Sequence, residues 1–172
     1  VLVARLAATD DVVIGTPVDG RTDAALHDLV GMFVNTLVLR TRVEPGKSVA
    51  DLLAAIRRTD LDAFSNADAD FEQLVDALAP ARPAAHAPLF QIALTVADGP
   101  PDSALTGAGV TVEPLPIDSA EAKVDLTVSV GNDPISGGGF LEFSYATALF
   151  DEATVRRFAQ TWQAIAAAAI AC

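Results

Sequence analysis

The sequence is poor in the residues that cross-link proteins or bind metals. Its 172 residues include one cysteine, Cys172, and two histidines, His27 and His86. A single cysteine cannot form a disulfide within the chain, a pattern typical of reducing compartments, so we expect a cytoplasmic protein. Because a structural zinc site needs several cysteine and histidine ligands held together, we expect no metal site.

Basic residues are also scarce. The chain has 11 Lys and Arg residues against 23 Asp and Glu residues, which gives a net charge of −12. Nucleic-acid binding relies on clustered positive charge, so this balance argues against DNA or RNA as a partner. High negative charge usually serves solubility, and the alternative is a partner protein with a basic patch.

Long hydrophobic runs are missing as well. The longest apolar run, Ala164 to Cys172, is shorter than the roughly 20 residues that a membrane-spanning helix needs. The chain opens on Val1-Leu2-Val3 without the basic segment of a signal peptide. We therefore expect no membrane insertion.

What is present suits one folded domain. Hydrophobic residues make up 51% of the chain, which favours a globular core over disorder. Val1 to Ala8 reads as a helix without a capping residue ahead of it, so we expect a truncated helix and a chain that is a piece of a longer polypeptide. The sequence shows no internal repeat, and the loop at residues 98–105 is too short for a domain linker.

Apolar periodicity and turn residues predict a mixed order of strands and helices. Ser48 and Asp151 are expected to cap two of the helices. The order has no regular βαβ repeat, which predicts an α+β sandwich. The strands are predicted at Val12–Thr16, Met32–Val43, Leu89–Val96, Val110–Leu115, Val124–Val130 and Leu141–Tyr145, and the helices at Val1–Ala8, Val49–Phe64, Phe71–Leu78 and from Asp151 to Ile165.

The second predicted strand carries a polar side chain on its apolar face. Side chains alternate along a strand, so Asn35 lies on the same side as Phe33 and Leu37. A polar amide on an apolar face needs a hydrogen-bonding partner or a function. Asn35 is therefore the leading candidate for a site residue.

Two segments around this strand resemble the condensation domains of non-ribosomal peptide synthetases. Gly15 to Arg21 is similar to the family's "GxPxxGR" segment, and Gly31 to Arg40 to its "GxFVNTLxxR" segment. Four further segments match in the family's order, so the resemblance runs from about Leu6 to Ile165. They are Asn66–Glu72, Arg82–Gln91, Ala122–Leu126 and Tyr145–Phe150.

The resemblance implies one half of a larger structure. Condensation domains are pseudo-dimers of two lobes with the chloramphenicol-acetyltransferase-like fold of CoA-dependent acyltransferases, and a tunnel runs between the lobes. Their catalytic "HHxxxDG" motif belongs to the first lobe and is absent from this sequence. Residues 1–172 are therefore expected to form the C-terminal lobe, a two-layer α+β sandwich that is one half of the pseudo-dimer.

The same resemblance implies a reaction and its partners. The family forms amide bonds between aminoacyl or peptidyl thioesters held on the phosphopantetheine arms of carrier proteins. The expected partners are the N-terminal lobe, peptidyl carrier proteins and an adjacent adenylation domain, with no cofactor bound directly. The isolated chain is expected to be inactive, and its uncovered lobe-facing surface could make it self-associate.

No residue of this lobe is expected to be catalytic, because neither His27 nor His86 has a second histidine beside it. By resemblance, Asn35 faces the substrate tunnel; the alternative is a structural amide that ties its strand to a neighbour. Arg21 could contact the first lobe or a phosphate of the carrier arm, or could satisfy carbonyl groups of the Gly15–Gly20 turn. Arg40, also structural or inter-lobe, is expected at the surface or in an ion pair.

Two other functions remain open at the sequence level. One is a non-catalytic module that docks carrier proteins or neighbouring domains. The other is a free-standing acyltransferase that completes its site by oligomerising, and it is the weaker because each subunit would still need a catalytic histidine. An "HHxxxDG" motif encoded upstream of Val1 favours the synthetase lobe, whereas a start codon there favours the module.

Overall fold

The computed structural model describes residues 1–21, 23–78, 87–98, 122–133 and 138–171. These ranges contain four helices and five strands in a mixed order, with a short 3-10 turn at Ala24–Leu26. The predicted strand at Val110–Leu115 lies outside the described residues, as do His86 and Cys172. The elements are α1 (Leu2–Leu6), β1 (Asp11–Asp19), β2 (Val34–Arg42), α2 (Val49–Phe64), α3 (Phe71–Leu78), β3 (Ile92–Asp98), β4 (Leu126–Asp133), β5 (Gly138–Tyr145) and α4 (Glu152–Ile170).

The strands form one mixed sheet in the order β2-β1-β3-β4-β5. β1 and β2 are antiparallel, as are β4 and β5, and this second pair corresponds to the predicted strands at Val124–Val130 and Leu141–Tyr145. The two hairpins join through β3, which is parallel to both β1 and β4. β1 and β3 pair only at Gly15 and Ala93, so the centre of the sheet has few backbone hydrogen bonds.

Side-chain caps set the starts of the two long helices. The Ser48 hydroxyl accepts a hydrogen bond from the Asp51 amide, and the Asp151 carboxylate accepts one from the Thr154 amide. Each bond satisfies one of the amide groups that a helix start leaves without an intrahelical partner. Both caps confirm the sequence prediction.

β1 is longer than the predicted strand Val12–Thr16, and Pro17, the residue after that predicted strand, does not end it. Pro17 lies inside β1 opposite Thr36 of β2. Proline lacks an N–H, so it fits a strand only where no ladder bond is needed from it. β3 pairs with β1 only at Gly15, and the strand therefore tolerates Pro17 beyond that point.

Helices cover the sheet and complete the predicted sandwich. α2 and α3 contact β2, while α4 contacts β5 and α1. The buried apolar side chains of the described residues come from both layers and make a thin core, which confirms the α+β class. They are Ala4, Val12, Leu37, Val75, Phe90, Leu126 and Val155.

Candidate functional site

The Asn35 carboxamide joins β2 to the turn that precedes α3. Its Nδ2 donates to the carbonyl oxygens of Ala67 and Ala69 at 2.9 and 2.8 Å. Its Oδ1 accepts from the amide groups of Thr36 at 2.8 Å and Phe71 at 3.3 Å. A carboxamide has two N–H donors and two acceptor lone pairs, so backbone groups occupy its full capacity.

These bonds correspond to the structural alternative for Asn35, in which the amide ties its strand to a neighbour. The neighbour is the 67–71 turn and not another strand. The side chain is only half-buried, and it lies between β2 and the 67–71 turn. Contact with a substrate amide would require the release of one of these backbone bonds. The tunnel role of Asn35 stays a prediction. The structure adds that binding a substrate through this amide would cost one of its backbone hydrogen bonds.

The turn held by Asn35 leads into an aromatic contact with the centre of the sheet. The Phe71 and Phe90 rings lie 5.7 Å apart at an angle of 59°. Phe90 in turn covers Gly15 and leaves no room for a larger residue there, because a Cβ atom on Gly15 would lie 2.3 Å from the ring. Asn35, Phe71, Phe90 and Gly15 therefore link α3 to β2 and β1 in one continuous contact.

Arg21 closes the loop between β1 and β2. Its guanidinium group donates to the Leu29 carbonyl at 3.2 Å, lies 3.6 Å from the Asp19 carboxylate and stacks 4.3 Å from the centre of the Phe33 ring. The Gly20 amide donates to the Phe33 carbonyl at 2.8 Å, which holds the two ends of the same loop together. Arg21 therefore contacts the Leu29 carbonyl, on the far side of the loop. From the sequence, its structural partners were expected to be carbonyl groups of the Gly15–Gly20 turn.

Arg40 lies at the surface and pairs with Asp11 across the β1–β2 hairpin. Its Nε and a terminal nitrogen approach the two carboxylate oxygens at 2.9 and 2.6 Å, a two-pronged arrangement. The hydrogen bond from Arg40 lowers the pKa of the Asp11 carboxyl from its ordinary value of 3.8. This pair links β1 to β2 near the end of the two strands that lies away from their connecting loop.

The remaining candidates lie elsewhere. His27 is exposed just after the 3-10 turn. An open groove of about 840 Å³ runs between α1 and the turn before α2, and its rim carries the Lys47–Glu44 ion pair at 3.2 Å. The described ranges contain no cluster of three or more metal-ligating side chains. Nor does any helix in them have the length and apolarity to cross a membrane.

Sequence reasoning missed the partners of these side chains. The apolar strand signalled that Asn35 needs hydrogen bonds, but nothing local indicates that Ala67 and Ala69, more than 30 residues away, supply their carbonyls. Phe33 as the ring beneath Arg21 was also missed. The available signal was that Phe33 ends the loop that Arg21 begins, because an arginine can stack on an aromatic ring.

A family model described as "Condensation domain" matches residues 1–172. The isonitrile lipopeptide synthase of Mycobacterium tuberculosis is 39% identical over 98% of this chain, and the dimodular nonribosomal peptide synthase of Bacillus subtilis is 42% identical over 92%. The phosphinothricin tripeptide synthetase PhsC of Streptomyces viridochromogenes is 41% identical over 92%. The chain spans only 7% of the length of the first two relatives and 14% of the third.

Solved structures show the same fold. A four-domain nonribosomal peptide synthetase, AB3403, superposes with a TM-score of 0.86 over 99% of this chain at 21% identity, and 14% of that chain is covered. The condensation domain of the polyketide synthase MokA gives 0.81 over 95% of this chain at 23% identity, and 38% of it is covered. The X-domain from teicoplanin biosynthesis gives 0.74 over 92% at 24% identity, with 36% covered. The predicted acyltransferase-type fold is confirmed.

Proposed function

Because the chain belongs to the condensation domain family, we propose that residues 1–172 form the C-terminal lobe of a domain that makes amide bonds between carrier-bound substrates. One observation carries this proposal. Residues 1–172 match the family throughout, yet they superpose on only 38% of a solved condensation domain. The "HHxxxDG" motif is also absent from the sequence, so the catalytic histidine has to come from the remaining part.

The proposed chemistry is acyl transfer to an amine. The amine on one phosphopantetheine arm attacks the thioester carbonyl on another; a C–N bond forms, the C–S bond breaks, and the amine proton goes to the released thiol. Much of the rate enhancement comes from holding two tethered reactants in line, an effect worth up to about 7–11 kcal/mol. This lobe would supply one wall of the tunnel and no general base.

The candidate residues take their places in that proposal. Asn35 lies at the tunnel wall and holds the 67–71 turn in place through its bonds to Ala67 and Ala69. Arg21 closes the loop before β2, and Arg40 pairs with Asp11 across the β1–β2 hairpin. Both are structural or inter-lobe residues in this proposal. The phosphopantetheine arms are substrates carried by partner proteins, so the lobe binds no cofactor of its own.

The proposed partners follow from the same assignment. They are the N-terminal lobe, peptidyl carrier proteins and a neighbouring adenylation domain, in the cytoplasm. Self-association of residues 1–172 in isolation remains a prediction, and light scattering over a wide concentration range measures it.

The experiment uses the longest polypeptide that the gene encodes, here called the full-length protein. Carrier proteins loaded with donor and acceptor aminoacyl groups are mixed with it, and intact-protein mass spectrometry follows the dipeptidyl product. We expect product with the full-length protein and none after the second histidine of its upstream "HHxxxDG" motif is changed to alanine. A gene without that motif, or product that is unaffected by its loss, contradicts the proposal.

A non-catalytic docking module is the second candidate. It is motivated by one solved neighbour, an X-domain from teicoplanin biosynthesis that was determined in complex with OxyB and superposes with a TM-score of 0.75 at 24% identity. For this chain, such a module would bind a partner protein without turnover. Stable binding of a carrier protein by a full-length protein that lacks the histidine motif would favour it.

A further inference from the structure

Residues 29–34 carry an exposed apolar ridge where the chain enters β2. Its four members are Leu29, Val30, Met32 and Val34, with 51%, 105%, 89% and 55% of their surface exposed. A single exposed apolar side chain is ordinary in a folded protein, but four within six consecutive residues place a patch of apolar surface on one short stretch. Such a patch marks a surface that another polypeptide covers.

The backbone of this ridge is fixed rather than loosely extended. Arg21 donates a 3.2 Å hydrogen bond to the carbonyl of Leu29, the first residue of the ridge. Its guanidinium group also stacks 4.3 Å from the ring of Phe33, near the end of the ridge. The Gly20 amide binds the Phe33 carbonyl at 2.8 Å. A Cβ atom on Gly20 would lie 2.4 Å from that carbonyl oxygen, so a glycine is required there. These contacts point the apolar side chains outward in a set arrangement.

The ridge also lies at an edge of the sheet. β2 is the first strand in the order β2-β1-β3-β4-β5, so within the described residues its outer side faces no further strand. Val34 begins β2, and the ridge therefore continues directly into this edge. Edges that carry apolar residues are normally covered, because they otherwise attract unrelated chains.

We infer that the rest of the condensation domain, encoded in the same polypeptide, covers the 29–34 ridge; this inference rests on the proposed function. The larger part of the MokA condensation domain has no counterpart in residues 1–172, which superpose on 38% of it. A second copy of the chain fits less well as the occupant. Each copy carries a net charge of −12, and such charges oppose the approach of identical chains.

Thiol labelling tests this inference. Val30→Cys is made in the full-length protein and in residues 1–172, and the rate of maleimide reaction at position 30 is read by peptide mass spectrometry. Gln163→Cys, at an exposed position on α4, is the matched control. We expect labelling at position 30 to be about tenfold slower or more in the full-length protein than in dilute residues 1–172, with a much smaller change at position 163.

Three outcomes overturn the inference. The first is an equal rate at position 30 in both proteins, and the second is equal slowing at positions 30 and 163. The third is protection in the full-length protein that disappears on dilution, because a second copy would then be the occupant. The labelling result does not depend on turnover, so it separates a failure of this inference from a failure of the proposed reaction.

A charge substitution provides an independent readout. Val30→Asp is expected to leave the thermal midpoint of residues 1–172 nearly unchanged, because its side chain is fully exposed there. In the full-length protein the same substitution buries a carboxylate against apolar surface, and we expect the midpoint to fall by several degrees. The same small change in both proteins contradicts the inference.

Discussion

At the scale of single residues, Asn35 shows how a polar group on an apolar strand is stabilised. Its four hydrogen bonds all go to backbone groups, and three of these belong to the 67–71 segment. Without this amide the half-buried Ala67 carbonyl and Phe71 amide group lose their partner, which costs more than the bond itself contributes, whereas the exposed Ala69 carbonyl can bind water instead. The amide therefore determines where α3 begins relative to the sheet.

Asn35→Ala is expected to lower the free energy of unfolding by about 1–3 kcal/mol, because the half-buried Ala67 carbonyl and Phe71 amide group lose their partner. Urea unfolding measures the change. Asn66→Ala is the matched control: Asn66 lies in the same turn region but is exposed, and its Nδ2 donates to the Asp62 carbonyl at 2.8 Å. Equal losses for the two variants contradict the role assigned to Asn35.

The need for hydrogen bonds at Asn35 could be read from the sequence, because Phe33 and Leu37 place it on an apolar face. The identity of the partners could not. Ala67 and Ala69 contribute only carbonyl oxygens, and every residue has a carbonyl. The stacking of Arg21 on Phe33 had one sequence signal, an aromatic residue at the end of the loop, but the contact itself depends on how the loop folds back.

At the scale of elements, the centre of the sheet is held mainly by side chains. β1 and β3 pair at one position, Gly15 and Ala93. The buried Thr16 hydroxyl donates to the Leu94 carbonyl at 2.8 Å across 78 residues of sequence, and Phe90 covers Gly15. Local patterns predicted the individual strands, but they carry no information on this long-range pairing.

Gly15→Ala is expected to destabilise the fold by about 1–3 kcal/mol, because the added methyl group overlaps the Phe90 ring. Gly139→Ala is the control, since its Cβ would lie 3.4 Å from its nearest neighbour, an ordinary contact. Phe90→Leu in the Gly15→Ala background should recover part of the loss in a double-mutant cycle measured by urea unfolding. Strictly additive effects contradict the proposed contact.

The β1–β2 hairpin supplies a prediction on pH. The hydrogen bond from Arg40 lowers the pKa of Asp11 below 3.8 in the folded protein, so the pair stabilises the fold above that value and its contribution is lost as the pH falls through the lowered pKa. In Arg40→Gln the pKa of Asp11 should rise towards 3.8, as measured by NMR titration of the carboxyl group. An unchanged pKa contradicts the pairing. Arg42→Gln, which removes a more weakly coupled neighbour, should shift it less.

At the scale of the whole molecule, the fold was predicted more completely than the function. The order of strands and helices predicted the α+β sandwich, the family resemblance predicted its acyltransferase type, and solved structures confirm both. The strand order, with its parallel central pairing, could not be worked out from residues alone. The site is harder to predict because the proposed tunnel would be formed by two lobes together, and residues 1–172 superpose on only 38% of the MokA domain.

The exposed ridge at residues 29–34 belongs to the same scale. Met32 begins a predicted strand and Val30 lies just before it, in a sequence stretch whose apolar character signals burial. The structure shows them exposed at the surface, and their burial is expected only in the context of the complete domain.

The most direct test of the central claim is amide formation by residues 1–172 alone. The purified chain is incubated with loaded donor and acceptor carrier proteins, and the dipeptidyl carrier is followed by mass spectrometry. If these residues form one wall of a two-lobed tunnel and lack the catalytic histidine, product accumulates no faster than in the absence of the chain. Repeated turnover by this chain without any other lobe would contradict the account.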